Sequence, residues 1–387
     1  MKKIIIVTHK LVTGGVEKAL IEMLKNIKLE NCDITLMIRD RGGILESEIP
    51  DDVEVKGIFD NEIAVKEKII KSIKNFKIIQ STKLSYYLLS SYFAKNTFQS
   101  YNSISKTLPM LDEEYDLAIC YNAHFSFPVI YTINNIKAKN KLMWVHTESG
   151  YYKDLVYRYK KYYDKYDHIF AVSKDSANDF IKLFPEIKNK ISVFYNSIYD
   201  KDIQLKSLEY EVFNDQYRGI RIVTVGRLCK EKGYDIAIKV TKRLLDEGYD
   251  IKWYCIGEGE ERNYLKNEIR KNNIEDSFIL LGNKANPYPY IQKSDIYVQP
   301  SRTEGYCITL AEARCLHKPI ISTNFMGAKE QIIDRKTGVL VSCNEKEIYN
   351  SIKELVEDVD LRNELVNNLR NEIIDTRDEV KKLYKFM

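Results

Sequence analysis

Residues 300–313 read PSRTEGYCITLAEA and come one residue after the apolar run Ile296–Val298. A short β-branched run closed by the turn Pro300-Ser301 reads as a buried strand that stops. A helix is expected to start between Tyr306 and Ile308. Strand, loop and helix in that order are the grammar of a parallel sheet with helices on both faces. Inside this unit stand two carboxylates, Glu304 and Glu312, with seven residues between them. The same grammar stands upstream at residues 225–235, VGRLCKEKGYD, after the run Ile220–Val225, and there it carries two cations, Arg227 and Lys232.

Working outward, further strands are expected at Ile251–Ile256, Phe278–Leu281, Pro319–Ser322 and Val339–Val341, with helical segments between them. The chain opens in the same way. Ile4–Val7 reads as a strand, Gly14-Gly15 introduces apolar residues at helical spacing from Val16 to Ile27, and Ile34–Ile38 is the next strand. The fold class is therefore α/β, with two doubly wound Rossmann-like halves. A polar stretch from Asn196 to Arg218 separates them, which places a first domain at residues 1–200 and a second at 201–361. Residues 362–387 form a last helical run, Arg362 to Phe386, suited to packing back on the first domain.

A length of 387 residues calls for more than one core, and a net charge of +4 is too small to mark the whole chain as a nucleic-acid binder. Seven scattered cysteines without a CxxC suit reduced thiols in a cytoplasmic protein. No stretch reaches the ~18 apolar residues that span a bilayer. Residues 66–106 depart from the general pattern, with eight lysines, one glutamate and seven aromatic residues, Phe76 among them. They read as a helical insertion whose basic and aromatic character suits peripheral contact with anionic lipid at the inner face of the plasma membrane; the alternative is a solvated lysine-rich face. Tyr152, Leu155, Tyr159, Tyr162, Tyr163 and Tyr166 share one helical face and read as core.

The four charged residues carry the chemistry. At a strand–loop–helix junction, Arg227 offers a bidentate fork and Lys232 a point charge, which together suit a diphosphate. Eight residues of helix rise about 12 Å, on the order of the distance from a ribose to a sugar across a diphosphate. Between the two acids, the helix start at Tyr306, Cys307, Ile308 and Thr309 presents free amides and the positive end of its dipole to that diphosphate. Glu312 can then accept ribose hydroxyls and Glu304 can touch the sugar. The plain alternative makes Glu312 an ordinary helix residue and Glu304 a first-turn acid.

The block at residues 300–341 resembles the signature of the retaining GT-B glycosyltransferases of family 4, the glycosyl transferases group 1. The resemblance rests on Glu304-Gly305-Tyr306, Glu312, Lys318-Pro319-Ile320-Ile321, the turn at Gly327-Ala328, Glu330–Ile332 and Gly338–Val341. VGRLCKEKG resembles the family's phosphate-binding segment, THKLVTGGVEKAL at residues 8–20 its glycine loop, and KLMWVHTE at residues 141–148 the segment with an active-site histidine. Departures fall at Arg302, Cys307, Arg314 and Ala328, where smaller or apolar residues are commoner; none is one of the four charged positions. The resemblance implies that the two domains face each other across a cleft. It makes Arg227, Lys232 and Glu312 donor-binding and Glu304 and His146 catalytic, with Gly14 and Gly15 letting the first domain approach the donor closely.

The expectation is a retaining, metal-independent hexosyltransferase of bacterial surface polysaccharide or capsule biosynthesis. Its donor would be a nucleotide-sugar, UDP-linked, and its acceptor a glycan or lipid-linked glycan; no cofactor is expected. The alternatives are a nucleotide-sugar epimerase on the same fold and a non-catalytic subunit of a polysaccharide assembly complex. A glycoside hydrolase using the two glutamates would have no use for the cationic pair. Asp358-Val359-Asp360 resembles a metal motif, but Asp360 reads as a helix N-cap. Gly257-Glu258-Gly259 is an incomplete dinucleotide fingerprint.

Overall fold

The computed structural model describes residues 2–12, 14–27, 32–59 and 78–387. Two parallel sheets organise the chain. The first contains β1 (Lys2–Thr8), β2 (Cys32–Ile38), β3 (Val53–Gly57), β4 (Glu114–Cys120), β5 (Lys137–Val145), β6 (His168–Ala171) and β7 (Ile191–Val193), in the order β3-β2-β1-β4-β5-β6-β7. The second contains β8 (Ile220–Val225), β9 (Ile251–Ile256), β10 (Phe278–Gly282), β11 (Ile296–Gln299), β12 (Ile320–Thr323) and β13 (Val339–Val341), in the order β10-β9-β8-β11-β12-β13. In each sheet the order reverses beside the first strand, between β1 and β4 and between β8 and β11. Such a switch point opens a crevice at the carboxyl ends of the strands.

The strands form where continuous apolar runs can be buried on both faces. Ile4 to Val7 and Leu117 to Cys120 are fully inaccessible, as are Ile222, Val223 and Trp253 in the second sheet. Buried Trp253 keeps its indole N–H satisfied by the Thr224 hydroxyl at 2.9 Å. β12 begins one residue later than Pro319, because proline has no N–H for the ladder.

The polar stretch expected as a hinge holds a short helix, Asp200–Lys206, fastened to the second lobe. Gln204 donates to the Cys315 carbonyl at 3.0 Å, and the Lys206 carbonyl accepts from Asn286 at 2.7 Å. The chain crosses back beside its first passage. The Asp200 amide donates to the Ile374 carbonyl at 3.0 Å and the Thr376 amide to the Ile198 carbonyl at 2.9 Å.

The run from Arg362 to Phe386 is not one helix. A helix at Val359–Arg370 stops, and a separate 3₁₀ segment, Arg377–Phe386, lies on the first lobe. There the Phe386 carbonyl accepts from Asn140 at 2.9 Å and the Phe386 ring meets that of His168. The N-cap of the helix is Asp358 rather than Asp360, accepting from the Leu361 amide at 2.8 Å. An extended residue three positions before its amide partner makes that bond, and Asp360 is already inside the first turn.

The tyrosine stripe is core over most of its length. Tyr159, Tyr162, Tyr163 and Tyr166 are buried, whereas Leu155 is exposed because the helix breaks between Lys153–Arg158 and Lys160–Tyr163. Of the basic–aromatic segment, residues 66–77, including Phe76, lie outside the described residues. The remainder forms helices Ile78–Tyr92 and Thr97–Thr107. Phe98 and Tyr101 turn inward against Tyr159 and Phe127, while Tyr86, Leu89, Tyr92 and Phe93 are exposed. Among the described residues, no helix is long and apolar enough to cross a membrane.

Candidate active site in the cleft

The carboxyl edges of the two sheets enclose a cavity of about 350 Å³. Arg227, Lys232, Glu304 and Glu312 all line it, with Tyr306, Cys307, Ile308 and Thr309 between the two acids. Gly14, Gly15 and His146 line it from the first lobe. Tertiary structure therefore brings together the candidate donor-binding and catalytic residues named from the sequence.

The cations arrive by a tight turn. After β8, residues Lys230–Lys232 make one 3₁₀ turn that ends at Gly233, whose φ is +70°. A Cβ there would stand 2.0 Å from the Pro300 carbonyl oxygen, so only glycine lets this turn press against the loop that carries Glu304. The contact joins one member of each charged pair: Lys232 Nζ forms an ion pair with Glu304 Oε1, and both side chains are largely buried. The Ser301 hydroxyl donates to the same carboxylate oxygen at 2.8 Å and in turn accepts from Gln299 at 2.8 Å. Burial alone would lower the pKa of Lys232, but the Glu304 carboxylate outweighs it and the ammonium is held above its ordinary range. The Arg227 guanidinium has no hydrogen bond or ion pair with any described residue while lining the cavity.

The helix between the acids spans Ile308–Cys315. Its N-cap, Cys307, sits in the left-handed region at φ 66°, and its thiol meets the Thr309 hydroxyl at 3.4 Å but caps no first-turn amide. A strained, uncapped helix start facing a cavity is an anion site in waiting. One turn further, Glu312 is 3% exposed, a rare state for a carboxylate. One of its oxygens accepts from the Tyr288 hydroxyl at 3.0 Å; the other is buried and has no partner among the described residues. The site thus holds an acceptor-only group that is half satisfied.

From the first lobe, His146 follows β5 and packs its ring on Tyr121 at 4.6 Å between centroids. Its Nε2 is buried without a partner among the described residues, and burial pushes its pKa down to about 3, so the imidazole is neutral at physiological pH. Gly14 caps the helix Gly15–Asn26 in extended conformation, and a Cβ on it would meet the Glu17 carboxylate at 2.2 Å. Burial raises the pKa of Glu17, and the charge of Arg227 across the cleft partly offsets this.

Sequence reasoning passed over several cavity residues. Glu148 accepts from the Thr303 hydroxyl at 2.5 Å and so ties the lobes beside Glu304. Its position two residues after His146 was the available signal. Glu231, also in the cavity, accepts from Tyr152 of the first lobe at 3.5 Å. Cys229, Glu231 and Glu260 bring three donor atoms within 4.8 Å of one another. Burial pushes the Cys229 thiol up to about 12, so it is protonated at neutral pH.

Residues 211–372 match the family described as glycosyl transferases group 1. This lobe is a group 1 glycosyl transferase domain. Over 210 residues the chain is 31% identical to an N-acetylgalactosamine-N,N'-diacetylbacillosaminyl-diphospho-undecaprenol 4-alpha-N-acetylgalactosaminyltransferase of Campylobacter jejuni, covering 54% of this chain and 56% of that protein. Over 216 residues it is 27% identical to the capsular polysaccharide biosynthesis glycosyltransferase CapM of Staphylococcus aureus, covering 53% and 56%. The chain spans little more than half the length of these curated relatives. Its whole length superposes on a Staphylococcus aureus TarM mutant solved with fondaparinux, α-GlcNAc-glycerol and UDP. The TM-score is 0.73 at 16% identity, with 100% and 99% of the two chains covered. That likeness identifies the GT-B fold: two Rossmann-like lobes facing across a cleft.

Proposed function

We infer that the chain is a glycosyltransferase that moves a sugar from a UDP-sugar to a glycan or lipid-linked acceptor in surface polysaccharide synthesis. The observation that carries this reading is Glu312: a buried carboxylate with one unpartnered oxygen, one helix turn behind an uncapped helix start, in the same cavity as an unpaired arginine. Ribose hydroxyls satisfy the carboxylate, the diphosphate takes the helix amides with Arg227 and Lys232, and the sugar falls beside Glu304 and His146. The UDP in the TarM structure, the diphospho-undecaprenol in the name of the Campylobacter relative and the capsular role of CapM support the donor and acceptor classes.

The transfer retains anomeric configuration and uses no metal. Lys232, Arg227 and the helix dipole neutralise the departing diphosphate, and a leaving phosphate so held takes the proton of the acceptor hydroxyl. Glu304 lies against developing positive charge on the sugar. Neutral His146 exchanges hydrogen bonds with sugar hydroxyls without repelling that charge. The closed cleft keeps water from the donor.

A thermal-shift panel of UDP-, GDP- and ADP-sugars, followed by NMR of the product anomer with and without EDTA, tests the reading. A new sugar isomer formed from donor alone would favour an epimerase instead, and the absence of any donor turnover a non-catalytic subunit. The acceptor class adds a membrane contact through the exposed Tyr86, Leu89, Tyr92 and Phe93, in a stretch where residues 78–111 contain three lysines and no acid. Flotation with anionic liposomes at low salt checks it; protein that stays at the bottom of the gradient refutes it.

A further inference from the structure

The loop that carries Glu304 is gripped from both lobes. On its own side, Lys232 and Ser301 hold the carboxylate, and Gln331 donates to the Tyr306 carbonyl. From the first lobe come Ser173 and Ser176, both fully buried. Their hydroxyl oxygens lie 2.8 and 3.0 Å from the carbonyl oxygen of Gly305, the residue next to Glu304. The Ser173 hydroxyl also lies 2.9 Å from the Ser176 oxygen, so Ser176 donates to the carbonyl while the single Ser173 proton is shared between that carbonyl and Ser176.

Ser173 also caps the helix Lys174–Leu183, accepting from the Ser176 amide at 3.0 Å. The positive end of that helix is thus aimed at the same carbonyl. Gly305 can come this close because it lacks a side chain: a Cβ would stand 2.1 Å from the His146 carbonyl oxygen. Beside it, the Asp175 amide and the Tyr195 hydroxyl donate to the two oxygens of Glu330 at 2.9 and 3.0 Å. The first turn of this helix is a socket shaped for the Glu304 loop.

We propose that Ser173 and Ser176 are positioning residues that hold the Glu304 loop in its reacting placement only while the lobes are closed, so that cleft closure and placement of the carboxylate are one event. This deepens the functional reading above and rests on Glu304 acting at the donor sugar. Without the two hydroxyls, a closed cleft would bury a backbone carbonyl with no donor, and the loop would pull away from the first lobe.

Hydrogen–deuterium exchange on the full chain tests this without any ligand. Ser176→Ala leaves the Ser173 cap intact. It is expected to speed exchange of amides in residues 301–309 by about 3- to 10-fold, as for the loss of one hydrogen bond. Ser176→Thr is expected to restore wild-type exchange. Ser173→Asp keeps a helix cap but sets a carboxylate against the carbonyl, and is expected to speed exchange further. Strands β8 and β9 should keep wild-type protection throughout. Unchanged exchange at 301–309 in both Ser176→Ala and Ser173→Asp would overturn the proposal, as would acceleration spread equally to β8, or a threonine variant that behaves like alanine. A parallel sample with UDP separates the two readings. UDP that protects nothing around the cleft sinks the nucleotide-sugar assignment and leaves the serine result standing on its own terms.

Discussion

Glu312→Gln should weaken nucleotide binding while leaving the empty protein as stable as before, or more so. In the free protein this carboxylate is 3% exposed, with one hydrogen bond from Tyr288 and one oxygen unpartnered. Removing its charge while keeping its shape relieves the cost of a poorly compensated buried ion, which is on the order of 1–3 kcal/mol for an unsatisfied group. The bound state changes in the opposite direction. Hydrogen bonds from ribose hydroxyls to a carboxylate are worth about 1.5–3 kcal/mol, and a neutral amide oxygen recovers only part of that. UDP affinity should therefore fall roughly 10- to 100-fold. Calorimetry with UDP gives the first quantity and urea melts of the unliganded protein the second. An apo protein that loses stability while UDP affinity stays within twofold would refute the reasoning, because Glu312 would then be a structural group that happens to face the cavity.

Lys232→Ala removes the partner of a largely buried carboxylate. It should lower apo stability by about 3 kcal/mol, as expected for breaking a buried pair, and Glu304→Gln in the same chain should recover part of that loss in urea melts. Gly305→Ala should force the loop off the His146 backbone, reduce donor turnover and enlarge the radius of gyration in X-ray scattering, with little change in Tm if the lobes fold independently. His124 and His146 are both buried, and burial pushes each pKa down to about 3. Their folded-state pKa lies below the unfolded value of about 6.5, so protonation favours the unfolded chain. The stability they contribute is fully present above pH 6.5 and is lost as pH falls toward 3, with a slope of about 1.4 kcal/mol per pH unit for each group. His146→Gln should flatten that slope by one proton in urea melts run between pH 6.5 and pH 4.5.

Much of this architecture is legible in the sequence, for reasons particular residues make plain. A parallel strand buried on both faces must be a short uninterrupted apolar run, so Ile220–Val225 and Ile251–Ile256 match the observed strands end for end. The cluster of Arg227, Lys232, Glu304 and Glu312 follows from the same logic. Each charged residue lies just beyond the carboxyl end of a strand, or on the helix that follows, and β8 and β11 are neighbours at the switch point where those ends converge. Helix ends are less legible. The sequence points to Asp360 as the cap, yet Asp358 caps the helix because it is the one with extended backbone. The break in the tyrosine stripe and the stop after Arg370 were hidden for a related reason: apolar spacing continues across a break that packing imposes.

The sequence alone determined the two α/β halves, the strands of the second sheet and the identity of the charged residues, because local burial and short-range turn chemistry are written in neighbouring residues. Only the tertiary structure decided that Lys232 pairs with Glu304, that one oxygen of Glu312 is left unpartnered, and that Ser173 and Ser176 close on the Gly305 carbonyl. These are contacts between segments 72 to 132 residues apart. They depend on how two turns pack and how two lobes dock, and no local pattern of residue types encodes that geometry.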